Sequence, residues 1–169
     1  GSLYLDGMKY NPTNPLHARE SGVAMIYQEL SLAPHLSVME NILLGIEPSL
    51  YGLVQWKAMK SKSIEALSAV GLEQVDPELP VNQLSIGQQQ LVEIARAVAL
   101  DCRVLVLDEP TSSLAAKAIE KLFKLVRTLS SKGISVIYIS HLLEEVKSIS
   151  DRYTVLRDGE SVGDGATLE

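Results

Sequence analysis

Asp108 and Glu109 stand side by side after the run Val104-Leu-Val-Leu107. Four consecutive apolar residues read as a strand buried on both faces, so the two carboxylates arrive together at its C-terminal end. Like charges there repel, and desolvation disfavours their ionised forms. A bound divalent cation relieves both effects. Two solvated acids are the plainer alternative, and the pair alone does not separate the two readings. Ser85-Ile-Gly-Gln88 is the second constellation. It opens a helix, whose first turn offers unpaired N–H groups and a positive dipole end suited to a phosphate. Ser85 adds a hydroxyl, and Gly87 lets a ligand approach the backbone closely. Ser-x-x-Gln is also a common capping box. Gln28 and His141 complete the set. Each follows an apolar run, Gly22–Tyr27 and Ser135–Ile139 respectively, at the strand end where open α/β sheets bind ligands. Isolated, such residues are more often polar termini or structural groups; their shared edge makes them candidates.

The elements that must position these residues follow from periodicity. Leu3 to Leu5 is a short strand turned by Asp6-Gly7. Gly22 to Tyr27, Val104 to Leu107 and Ser135 to Ile139 are buried strands, and Tyr153 to Leu156 is a further strand turned by Asp158-Gly159. Ser37-x-x-Glu40 caps a short helix, and Pro48 to Gly52 reads as loop. Lys57 to Val70 is a helix with Met59, Ile64, Leu67 and Val70 on its inner side and Gly71 as its stop. Trp56 is expected to pack beside it. The Ser85 helix faces inward through Leu91, Ile94, Ala95 and Val98. Ile119, Leu122, Phe123, Val126 and Leu129 give another helix, and Leu142 to Ile149 the last. Strand–helix alternation implies a largely parallel sheet with right-handed crossovers. The stretch between Gln28 and Leu84 is mostly helical and reads as a lobe inserted into that frame.

With 169 residues, 46% of them hydrophobic and 21% charged, the chain can build one core, and global disorder is excluded. A net charge of -6 argues against nucleic acid as a partner. The single cysteine, Cys102, excludes an internal disulfide and has no second ligand spaced for a metal. No signal peptide or membrane-length apolar run is visible, so any association with a membrane goes through a partner.

Taken together and in order, Gln28, Leu84-Ser-Ile-Gly-Gln-Gln-Gln90, Val104-Leu-Val-Leu-Asp-Glu-Pro-Thr111 and His141 resemble the Q-loop, signature, Walker B and switch-histidine motifs of the ATP-binding cassette (ABC) ATPases. The resemblance runs from Leu3 to about Gly163. It implies a P-loop NTPase (RecA-like) α/β core with a largely parallel sheet and an inserted helical subdomain. The implied segments are 1–28, the remainder of the N-terminal core with its Q-loop; 29–83, the helical subdomain; and 84–169, the signature helix and the core half with Walker B and the histidine. It implies ATP and Mg²⁺ as cofactors. Asp108 and Gln28 are then metal ligands, Glu109 the group that activates water, and His141 and Gln28 its catalytic neighbours. Ser85, Ile86, Gly87 and Gln88 then contact the γ-phosphate of an ATP held by an opposing cassette. The family's phosphate loop, G-x-x-x-x-G-K-[ST], occurs nowhere in the chain. The N-terminal part of the core is therefore expected to be absent, and the chain is read as a fragment, inactive alone. Two departures are visible. Ile86 stands where the family has glycine, and Ala115 where its D-loop carries an acid able to make a polar contact across the dimer.

Finer resemblance, in Glu29-Leu-Ser-Leu-x-Pro-His-Leu-Ser-Val38 and Ser85 to Ala97, is to the first cassette of tandem-cassette sugar importers of the ribose, xylose and galactose type. Implied partners are a second cassette and membrane-spanning permease subunits reached through the helical subdomain, with no direct contact to sugar. The implied location is cytoplasmic, peripheral on the inner face of the membrane. Two rivals stay open: a regulatory half-cassette that completes a partner's ATP site, and an ABC ATPase of translation or DNA repair.

Overall fold

A computed structural model describes residues 1–167; positions 168 and 169, at the end of the third expected segment, lie outside the described residues. The chain opens with an antiparallel hairpin, β1 (Leu3–Leu5) and β2 (Met8–Tyr10), turned at Asp6-Gly7 as expected. Helix α1 (Pro15–Glu20) follows, an element the sequence reading lacks. Pro15 starts it, and the Asn14 side chain accepts the His17 N–H at 2.8 Å. β3 (Val23–Ile26) follows Gly22, whose φ of +83° lies in the left-handed region that favours glycine.

A helical layer comes next. α2 (Val38–Leu43) carries the expected capping box, Ser37 with Glu40. Pro48 to Gly52 is not simply loop: β4 (Ser49–Leu50) and β5 (Leu53–Val54) pair there as a small exposed hairpin turned at Tyr51-Gly52. The hairpin is too short to show a period-2 pattern, which is why the sequence hides it. α3 (Trp56–Ala69) buries Met59, Ser63, Ala66 and Leu67. Ile64 and Trp56, both expected to pack, are 49% and 55% exposed, because the helix meets its neighbours along a narrower stripe. α4 (Ile86–Ala99) packs on α2, α3 and β3. It is buried around most of its circumference, with Val92, Ile94 and Ala95 at zero exposure and Leu91 and Val98 only partly covered.

β6 (Val104–Asp108) is the central strand. It pairs in parallel with β3 on one side and β7 (Ser135–Ile139) on the other, in the order β3–β6–β7. α5 (Ala116–Ser131) makes the crossover, and α6 (Leu143–Ile149) follows β7. The hairpin β8 (Arg152–Arg157) and β9 (Glu160–Ala166), turned at Asp158-Gly159, ends the described chain. Expected burial of the strands on both faces is only half met. Ile26, Leu105 and Leu107 lie on the face covered by helices, and the last two are fully buried. On the opposite face Met25, Val106 and Ile137 stand in one row by register, and Met25, Ile137 and Ile139 are 41%, 52% and 42% exposed.

The candidate site at the sheet edge

Parallel pairing in register sets the edge. Ile26 lies opposite Leu107 and Asp108 opposite Ile139, so the chain leaves all three strands on the same side. Asp108 is the last residue of β6. Glu109 still donates its backbone N–H to Ile139 O at 3.0 Å, extending the ladder by one bond. The backbone then turns sharply: Glu109 has φ +44°, in the left-handed region that costs a non-glycine residue free energy. The turn aims its carboxylate at the neighbouring strand's extension, where Glu109 Oε1 meets His141 Nδ1 at 2.9 Å. His141 is 67% exposed and Glu109 30%. The sequence-derived acid and histidine are therefore a hydrogen-bonded pair, 32 residues apart in the chain and one strand apart in space.

Gln28 lies in a bend just past β3, exposed, beside the end of β6. With Asp108 it offers one carboxylate and one amide oxygen. Hard oxygen donors in that number suit Mg²⁺, which keeps several waters and takes its remaining ligands from phosphates. Among the described residues no group of three His, Cys, Asp or Glu could hold a metal without such help.

Ser85 to Gln88 form a second, separate group at the start of α4. Ser85 Oγ donates to Gln88 Oε1 at 2.9 Å, and Ser85 N–H donates to the same oxygen at 3.0 Å. Both side chains thus serve a capping box. The first-turn N–H groups of Ile86 and Gly87 remain the donors for an anion. Gly87 faces the segment after the acid pair: a Cβ there would stand 3.5 Å from Leu114 and 3.6 Å from Ala118. Ala115 is the N-cap of α5 and gives it no side-chain hydrogen bond.

Three polar residues that sequence reasoning passed over bind these groups together. Gln90, one turn into α4, donates through Nε2 to Pro110 O, joining the helix to the loop that carries Glu109. Glu93, 3% exposed, accepts from Ser31 N–H at 2.6 Å and Ser31 Oγ at 2.8 Å, anchoring the segment after Gln28. Glu145, 7% exposed, accepts from Tyr138 and Ser140, both just ahead of His141. Their only sequence signal is a polar residue on the buried side of a helix. Gln90 and Glu93 are three apart, the spacing of one face, and so were legible in principle.

The sequence profile described as ABC transporter matches residues 1–112. Ribose import ATP-binding protein RbsA 3 of Rubrobacter xylanophilus is 51% identical over 162 residues, covering 96% of this chain and 32% of that protein. Galactofuranose transporter ATP-binding protein YtfR of Escherichia coli K12 is 41% identical over 169 residues, covering 100% of this chain and 34% of its own length. The chain spans about a third of the length of these curated relatives. Among solved structures, a dimeric ATP-binding cassette in a post-hydrolysis state, bound to ADP and Pi, superposes with TM-score 0.80 at 28% identity. It matches over 100% of this chain and 74% of that one.

Proposed function

This chain belongs to the ABC transporter family, and from that membership we propose that it is part of the ATP-hydrolysing subunit of a sugar importer. The carrying observation is the Glu109–His141 pair at 2.9 Å on the edge shared with Asp108. When bound, Mg²⁺ supplies positive charge to the phosphate oxygens of ATP. Asp108 holds the ion, with Gln28 as its neutral second donor. Glu109 orients the attacking water and takes its proton through the carboxylate oxygen that His141 leaves free. His141 fixes the direction of that carboxylate. Ser85, Ile86, Gly87 and Gln88 offer the start of α4 to a phosphate held by a second cassette.

The same reading assigns 29–83 as the helical subdomain, with the membrane-spanning permease docking on it and the sugar never touching this subunit. It places the protein on the cytoplasmic face of the membrane. No helix among the described residues is long and apolar enough to cross a bilayer. The chain carries no G-x-x-x-x-G-K-[ST] loop to grip the β- and γ-phosphates. By itself it should bind Mg-ATP weakly and release no phosphate. Phosphate release by the 169-residue chain, abolished by Glu109→Gln, would contradict this inactivity. The uncapped start of α5 at Ala115 favours one other reading, a half-cassette that only completes a partner's site. In the whole subunit paired with a complete cassette, Glu109→Gln lowers turnover under the first reading, where the subunit's own phosphate loop holds ATP beside Glu109, and leaves it unchanged under the second.

A further inference from the structure

We propose that Glu145 is a positioning residue for His141, and that its buried carboxylate holds the Glu109–His141 pair at hydrogen-bond distance. The imidazole is 67% exposed, so packing does little to direct it. Its direction is set by the backbone of residues 140–142. That turn is fixed by one side chain: Ser140 Oγ accepts the Leu142 N–H at 3.0 Å and donates to Glu145 Oε2 at 3.0 Å. The same carboxylate oxygen accepts the Tyr138 hydroxyl at 2.8 Å. Tyr138 comes from β7 on the helix-covered face, with Phe123 of α5 set edge-on against its ring, centroids 6.1 Å apart. Burial, and then the Glu145 hydrogen bond, push the tyrosine's pKa far up, while Thr111 facing the hydroxyl pulls the other way. Tyr138 therefore stays a donor at every working pH. Thr111, 7% exposed, lies two residues past Glu109. The acid loop and the histidine turn thus meet in front through Glu109 and His141, while behind them Glu145 ties Tyr138 to Ser140.

A buried carboxylate is poor evidence for stability as such, because an apolar residue of similar size is often as good. What this one adds is two directed acceptor bonds that fix a turn. The inference takes the importance of the pair from the function proposed above, but its test uses no ATP. In ¹⁵N-labelled chain, long-range ¹H–¹⁵N spectra of the neutral imidazoles report which ring nitrogen is protonated. His141, assigned by His141→Gln, should show the Nδ1–H tautomer that faces Glu109. Glu145→Ala and Ser140→Ala should both lose that signature and revert to the Nε2–H form, as should Glu109→Ala. Glu145→Gln should keep it, since its amide oxygen can accept the same two bonds. If Glu145→Ala does not fold, Ser140→Ala decides alone. A folded Ser140→Ala chain with an unchanged His141 signature overturns the proposal. Failure of the cassette to hydrolyse ATP with the signature intact would instead count against the catalytic reading.

Discussion

At the scale of single residues, two ionisable groups carry measurable consequences. Hydrogen bonds from the Ser37 hydroxyl, then from the Ser37 N–H, hold Glu40 below the ordinary carboxylate range, against a smaller desolvation effect. The folded chain therefore favours the ionised form. The stability this contributes is present above pH 4.5 and disappears as pH falls through the lower, folded value. Glu40→Gln should flatten the melting temperature below pH 4.5 relative to wild type, measured by circular dichroism across an acid series. Cys102 behaves oppositely: burial, followed by the nearby Asp101 charge, pushes its thiol up to about 11. At neutral pH it should resist iodoacetamide in the folded chain and react promptly in urea, followed by mass spectrometry. Rapid alkylation of the folded chain would contradict the burial at this position.

Elements come next. α4 is an amphipathic helix by sequence yet is covered nearly all round, because α2, α3 and β3 all pack on it. A hydrophobic period reports one face; it does not reveal a second layer contributed by distant sequence. The same limit explains why Gln90, Glu93 and Glu145 went unread while Asp108, Glu109 and His141 did not. Strand ends are marked by a change from apolar to polar, whereas a polar residue inside a helix pattern looks like its wet side. Gln90 is the sharpest case, since its amide joins α4 to Pro110. Gln90→Leu leaves that buried carbonyl without its donor. It should lower the unfolding free energy by about 1–3 kcal/mol, read from urea denaturation. Loss of less than about 0.5 kcal/mol, the range of an ordinary surface change, would show that the bond holds nothing.

For the whole molecule, parallel order, capping boxes and the shared sheet edge were all legible, because each rests on local pattern. One-sided burial of the sheet was not. Apolar alternation on both faces predicts cover on both, and the face bearing Met25, Ile137 and Ile139 is open. An apolar surface of that kind binds hydrophobic dyes and other copies of itself. Replacing Ile137 and Ile139 with threonine keeps strand propensity while making the face polar. The double variant should show weaker dye fluorescence and a smaller sedimentation coefficient at high concentration than wild type. Equal values for the two proteins would mean that this face is not what associates.

The left-handed backbone at Glu109 bears on how such a chain changes over generations. Among the described residues, four of the five non-glycine residues with positive φ are Asp6, Tyr51, Asp101 and Asp158. Asp6, Tyr51 and Asp158 turn hairpins, and Asp101 turns the chain from α4 into β6. Glu109 is the remaining one, and its side chain has a chemical assignment. Glu109→Gly should raise the melting temperature, since glycine removes a strain of about 1–3 kcal/mol. Selection for folding alone would therefore drive position 109 away from glutamate. A lineage that stopped using the carboxylate would lose it early, well before the strand beneath it decayed. The identity of this one residue is thus a gauge of whether a descendant copy still works.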